Sequence, residues 1–255
     1  MTLFGKKPAQ KKATAPVEPG DPLVTLAEPK SVMAEAYRTV RTNLQFVSLD
    51  QARKSILVTS AGPGEGKSTT VANLGVTMAA AGTRTLLVDS DLRRPILHKL
   101  FDLPNTSGLT TVLADTVAAQ DSIASTRLPG LFVLPSGPLP PNPAEVLASR
   151  RMAEFVEVAK AQYDLVLFDS PPVISLSDSL ILTSYAEAVL LVVRCGQYPY
   201  ELIRQAKAQL EGVKATILGV LLNSVDFRQD GYRYRYRYYY YNNYYDTYES
   251  QSGAK

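Results

Sequence analysis

The 255-residue sequence is poor in the residues that build metal centres and crosslinks. Cys195 is its only cysteine and His98 its only histidine, which excludes a disulfide framework, a thiolate cluster or a multi-histidine zinc site. Cysteine this scarce fits a reducing compartment, so a cytoplasmic setting is expected. Metal chemistry would need oxygen ligands, which points to magnesium. No uninterrupted apolar run reaches about 18 residues, and the lysine-bearing start, Met1 to Lys12, lacks the apolar centre of a secretory signal. Membrane contact would therefore need a partner. The net charge of +3 is too small to select a class of partner. Apolar residues at 45% and charged residues at 20% suit one sizeable α/β core.

Residues 1–30 carry Pro8, Pro16, Pro19, Pro22 and Pro29 among Ala and Lys and read as a flexible leader. From Ser31 to about Asp50, Val32, Ala36, Val40, Leu44 and Val47 recur at helical spacing. Six apolar, strand-like runs follow, at Ser55 to Ser60, Arg84 to Asp89, Leu131 to Leu134, Leu165 to Asp169, Ala188 to Val193 and Ile217 to Leu222. Helix-like segments separate most of them. Near-continuous apolar strands alternating with helices predict a mostly parallel sheet with helices on both faces, and such sheets place ligands at the carboxyl ends of their strands. One catalytic domain is expected over residues 31–225. Residues 226–255 differ in kind: ten tyrosines fall within seventeen residues from Tyr232 to Tyr248, with Arg233, Arg235 and Arg237 interleaved. Nothing there offers an apolar face to a core, so a disordered, solvent-accessible tail is expected.

The chemistry is concentrated in three short runs. Ser60-Ala61-Gly62-Pro63-Gly64-Glu65-Gly66-Lys67-Ser68-Thr69 follows a strand and precedes a helix that runs to about Ala81, the context a phosphate-binding loop needs. Backbone N–H groups freed by Gly62, Gly64 and Gly66, with those of Glu65 and Thr69, would face the phosphates; Lys67 would reach the terminal ones and Ser68 would ligate magnesium. The first glycine of the generic pattern is Ala61 here. Leu86 to Asp91 and Leu165 to Asp169 bring three carboxylates to strand ends. A strand-end aspartate also serves simply to cap the next helix. As a functional set, Asp91 and Asp169 would hold magnesium directly or through water, and Asp89 would orient or deprotonate an acceptor hydroxyl. Arg93 and Arg94 would either neutralise phosphate charge or form an exposed structural pair.

At these residues the sequence resembles the bacterial tyrosine kinases of capsule and exopolysaccharide synthesis, over most of residues 31–250. The matching features are the loop with Lys67 and Ser68, the run Asp89 to Pro95, the run Asp169 to Pro172, Gly137 to Pro143, Leu221 to Asn223, and the tyrosine cluster. The resemblance implies a P-loop NTPase fold and an ATP- and Mg2+-dependent protein-tyrosine autokinase that regulates polysaccharide synthesis, with Asn223 near the adenine. Its acceptors would be Tyr232, Tyr234, Tyr236, Tyr238, Tyr239, Tyr240, Tyr241, Tyr244, Tyr245 and Tyr248, modified between subunits. It further implies a ring-like homo-oligomer joined through Glu35, Arg38 and Arg41 and disassembled by phosphorylation. A transmembrane modulator would recruit the chain to the inner face of the membrane through its cytoplasmic tail, and a tyrosine phosphatase would reset the cycle. From spacing alone, Glu35, Arg38 and Arg41 also fit an ordinary solvated helix face.

Two other functions share some of these features. Switch ATPases of cell division and partition resemble the loop but place a second lysine where this chain has Gly62. Nucleic-acid binding would use the arginines among the tyrosines, yet residues 226–255 carry Arg228, Arg233, Arg235, Arg237 and Lys255 against Asp226, Asp230, Asp246 and Glu249. A net of +1 is a weak footprint, so no nucleic-acid partner is expected.

Overall fold

The apolar runs assemble into a seven-stranded sheet in a computed structural model that describes residues 23–47 and 53–225. In chain order the elements are α1 (Val24–Ala27), α2 (Val32–Val47), β1 (Ser55–Ser60), α3 (Lys67–Ala80), β2 (Thr85–Asp89), α4 (Leu97–Leu100), α5 (Leu109–Leu113), α6 (Ala119–Ser122), β3 (Ala124–Ser125), β4 (Leu131–Leu134), α7 (Pro143–Leu147), α8 (Arg150–Gln162), β5 (Leu165–Asp169), α9 (Asp178–Leu182), β6 (Ala188–Arg194), α10 (Tyr200–Gly212) and β7 (Ile217–Asn223). The strand order is β3-β4-β2-β5-β1-β6-β7. All pairings are parallel except β3 with β4. The six strands read from the sequence are therefore present. The seventh, β3, is two residues long, too short to leave a pattern.

Alternation along the strands splits the core into two layers. Ile56 and Val58 of β1, Leu87 of β2 and Leu167 of β5 pack with Val71, Leu74 and Met78 of α3. Leu57, Leu86, Val88, Val166 and Phe168 face the opposite layer, with Phe155 of α8 and Leu210 of α10. Side chains on a strand alternate faces. Asp89 follows Val88 and Asp169 follows Phe168, so both carboxylates project to the face that α3 covers. That helix is buried along nearly its whole length, with α1 and α2 packed over it. Its apolar residues accordingly show little one-sided pattern. No described helix is long and apolar enough to cross a membrane.

The fold begins earlier than the proline pattern suggests. The expected leader of residues 1–30 is docked from Leu23 onward, which corrects its last eight residues. Leu23 is buried, and Thr25 donates both its N–H and its hydroxyl to Asn73 Oδ1 on α3, at 3.0 and 2.8 Å. Asn73 Nδ2 donates in turn to Thr69 O at 2.9 Å, the carbonyl of a phosphate-loop residue. A four-residue helix cannot hold itself together. Its anchor lies 48 positions away, where local patterning is blind. Asn73→Ala should cost about 1–3 kcal/mol through the unsatisfied donors it leaves. Amide exchange at residues 24–27 should accelerate, as hydrogen–deuterium exchange would measure.

Candidate active site

The β1–α3 loop is built to present backbone N–H groups. Gly66 caps α3 in the left-handed region, at φ +91, and α3 has no side-chain cap. Elsewhere the chain does supply one: Ser149 accepts from Met152 N at the start of α8. An uncapped N-terminus next to Lys67 leaves donors and positive partial charge for an anion. A side chain at position 66 would also strike the Asn223 amide, so two separate constraints select glycine.

Glu65, expected among the nucleotide contacts, turns its carboxylate into the protein, which leaves its backbone as the part that can face a phosphate. Glu65 is fully buried and accepts from Gly62 N through Oε1 at 2.7 Å and from Arg194 N through Oε2 at 3.1 Å. Asn223 Nδ2 donates to Glu65 O at 2.9 Å and its Oδ1 accepts from Ser224 N, so this side chain first of all ties β7 to the loop. Both residues shape the site by holding the loop. Beside the loop lies a cavity of about 930 Å3, within the range of small-molecule sites. It is lined by Gly64, Gly66, Lys67, Ser68, Thr69, Asp91, Arg94 and Asn223, and by Met33, Ala36, Tyr37 and Val40 of α2. Nothing in the sequence pointed to α2 as a wall of the site.

The three aspartates separate into different environments. Register pairs Asp89 with Asp169 on neighbouring strands, so their carboxyl groups lie side by side. Both oxygens of Asp169 are buried without a hydrogen-bond partner. Burial lifts its pKa to about 7 against the opposing pull of the nearby Ser68 hydroxyl and the Lys67 charge. Asp89 is pushed well above the carboxylate range, first by burial and then by the charge of Asp169. Its Oδ2 accepts from Ile96 N and Leu97 N at 3.0 and 2.9 Å, which caps the start of α4. One oxygen of the carboxylate expected to orient an acceptor hydroxyl is thus engaged by backbone. Only the buried Oδ1 is uncommitted. Asp91 alone of the three lines the cavity, while its Oδ1 accepts from Arg93 N and Arg94 N.

The two arginines also part company. Arg93 makes a two-point contact with the fully buried Asp178, at 2.8 and 3.1 Å, and so is a structural pair. Arg94 lines the cavity, where it could meet phosphate charge. Sequence reasoning missed Asp178, Arg194, Gln197 and Tyr198, all around the loop or the aspartates, because no short motif marks them. Among the described residues no group of three or more His, Cys, Asp or Glu converges as a self-sufficient metal site. Magnesium needs no such cage, since it takes one or two carboxylates and completes its shell with phosphate oxygens and water. The unpartnered oxygens of Asp169 near Ser68 fit that demand.

Glu35, Arg38 and Arg41 do not form the single outward stripe expected of them. Glu35 and Arg38 pair at 2.7 Å on the surface of α2, and Arg38 also donates to Pro29 O. Arg41 turns inward and donates to Thr77 O at 3.1 Å. Thr77 lies in the last turn of α3, where carbonyls lack helical partners and the helix dipole favours a cation. The tyrosines from Tyr232 to Tyr248 lie outside the described residues.

A strand–loop–helix of this kind, set in a parallel sheet with lysine and buried aspartates at adjoining strand ends, defines a P-loop NTPase fold. A family model described as an AAA domain matches residues 53–221. The chain is 45% identical over 201 residues to the tyrosine-protein kinase YwqD of Bacillus subtilis (strain 168), a match covering 79% of this chain and 85% of that protein. It is 35% identical over 226 residues to the putative tyrosine-protein kinase CapB of Staphylococcus aureus, covering 89% and 97%. The crystal structure of the chimerical protein CapA2B2 superposes with a TM-score of 0.78 at 39% identity, over 82% of this chain and 92% of that one. The chain belongs to the bacterial tyrosine-protein kinase family.

The raised pKa of Asp169 predicts opposite pH trends for binding and for folding. Magnesium needs the ionised carboxylate, so Mg-ADP affinity should rise by up to about tenfold per pH unit toward pH 7 and then level. Asp169→Asn should bind more weakly and lose that part of the slope, as calorimetric titration would show. Without nucleotide, a folded-state pKa of about 7 against an ordinary carboxyl value of 3.8 means this group favours folding at low pH. That contribution is lost as pH rises through the window between them. Asp169→Asn should therefore melt higher than the parent at pH 8 when no nucleotide is present.

Proposed function

We propose that this chain transfers the γ-phosphoryl group of ATP to tyrosines, chiefly those of its own residues 226–255, and that transfer runs between subunits. One observation carries the reading. Val225, the last described residue before the tyrosine-rich segment, lines the same cavity as Lys67 and Ser68. The acceptor-bearing segment thus leaves the fold at the phosphate site. Six residue steps from Asp226 to Tyr232 reach up to roughly 20 Å, so geometry permits attack on the chain's own site or a neighbour's. Family resemblance favours the neighbour.

In this mechanism the backbone N–H groups of Gly64, Gly66 and Thr69 and the Lys67 ammonium hold the phosphates, with Arg94 at the cavity wall. Ser68, Asp169 and, through water, Asp91 would hold magnesium, which when bound neutralises charge on the phosphates. The phenol oxygen bonds to the γ-phosphorus as the bond to the ADP oxygen breaks. The phenol proton, with a pKa near 10, passes to a carboxylate of the cluster. Asp89 can take that part only through Oδ1. The cycle then extends to partners. Each phosphotyrosine adds about −1.5 to −2 charges, so four would take the segment from +1 to roughly −5 to −7 and drive subunits apart. Glu35 and Arg38 supply a weak, salt-sensitive contact between copies. A membrane-spanning modulator's cytoplasmic tail would recruit and activate the kinase in capsule or exopolysaccharide synthesis, and a tyrosine phosphatase would reset it.

Lys67→Met should abolish phosphotyrosine on the purified chain incubated with Mg-ATP and the modulator tail, without changing the melting temperature. Undiminished phosphotyrosine would remove Lys67 from the mechanism. Mixing an active chain truncated after Asp226 with full-length Lys67→Met should place phosphate on the inactive chain. Its absence, with robust autophosphorylation of the intact enzyme, would point to a route within one chain.

The inward turn of Arg41 divides the α2 arginines in a testable way. Arg41→Ala should lower stability by about 1 kcal/mol through the lost bond to Thr77 O. Arg38→Ala, whose contacts are exposed, should shift light-scattering mass toward monomer with a smaller loss of stability than Arg41→Ala.

A further inference from the structure

Outside the motifs, the loop after β6 lies against the outer side of the phosphate loop. Gln197 Nε2 and Tyr198 Oη both donate to Pro63 O, at 2.7 and 3.0 Å. The Tyr198 ring lies over Gly62: a Cβ built there would come within 2.6 Å of Tyr198 Oη and 2.5 Å of Cε2. Gly62 is not among the glycines with positive φ, so its backbone would accept any L-residue. In this conformation the Tyr198 ring fills the space a side chain at position 62 would enter, so the ring would have to swing aside to admit one.

We propose that Gln197 and Tyr198 are positioning residues for the phosphate site, and that the Tyr198 ring is what excludes a side chain, lysine included, at position 62. A trans peptide is planar, with C=O and N–H pointing in opposite directions. Two donors that hold Pro63 C=O outward therefore turn Gly64 N–H the other way, toward the cavity that Gly64 lines. Holding that donor in place before the nucleotide arrives removes reorganisation from binding and transfer. With Tyr198 in this rotamer, a lysine at position 62, as in the switch ATPases, would have no room beside the ring.

The proposal rests on the reading that the loop binds a nucleotide, and its test uses affinity as well as kinase activity. Mg-ADP affinity is measured by calorimetry for the full chain, with a nucleotide-free melting temperature for each variant. Gln197→Ala combined with Tyr198→Phe should weaken binding about tenfold, the scale of one or two net hydrogen bonds, with little change in melting. KM for ATP should rise with it, and kcat should move far less. Gly62→Ala should weaken binding by a similar factor in the parent but by less than about twofold in the Tyr198→Ala background, since the clash is then gone. Parent-like affinity in the Gln197/Tyr198 variant, or an equal Gly62→Ala penalty in both backgrounds, would overturn the proposal while leaving the kinase reading intact. A parent chain that binds no Mg-ADP would sink both.

Discussion

Two carboxyl groups held side by side at the buried ends of β2 and β5 set the conditions for the rest of the site. Asp89 and Asp169 are paired in register and wholly buried. Each is costly to ionise there through burial; the Asp169 charge adds to the cost at Asp89, and the Asp91 charge to the cost at Asp169. The surroundings offset this in two ways: α4 gives Asp89 two backbone N–H donors, and the Lys67 charge acts on Asp169. Neither oxygen of Asp169 has a partner at close hydrogen-bond geometry, though the Ser68 hydroxyl is near enough to favour its charged form. A divalent cation would find both oxygens available.

The loop facing these carboxylates is held from behind, so its front stays open. Glu65 takes N–H groups from Gly62 and from Arg194 at the end of β6, and Asn223 at the end of β7 takes the Glu65 carbonyl. Gln197 and Tyr198 take the Pro63 carbonyl. Three successive pieces of chain after β5 thus converge on the loop at Pro63 and Glu65. This convergence needs β6 beside β1 and β7 beside β6, as the strand order provides. Preorganisation of this kind is how a phosphoryl-transfer site lowers its barrier, since the protein does little covalent chemistry itself.

Helix α2 links the cavity to the far end of α3. One side lines the cavity through Met33, Ala36, Tyr37 and Val40, another carries the Glu35–Arg38 pair, and Arg41 grips the end of α3. The segment before it is pinned to Asn73, whose own amide reaches a loop carbonyl. Rearrangement of α2 in an oligomer would therefore be felt at Lys67 through packed, hydrogen-bonded neighbours.

The sequence by itself determined the parallel α/β class, six of the seven strands, the phosphate loop and the three aspartates, because each of these is local. A strand is an apolar run, a phosphate loop is glycines at fixed spacing before a helix, and Asp89 and Asp169 follow strands in plain view. Only the tertiary structure decided which carboxylate caps α4 and which is left unpartnered, that Glu65 and Asn223 hold the loop, that Arg41 faces inward, and that residues 23–27 belong to the fold. It also set the ring of Tyr198 over Gly62, 136 positions earlier in the chain. Such contacts form between segments brought together by strand order and crossover packing, and that order is set by the burial of both sheet faces at once. No window of neighbouring residues contains that information.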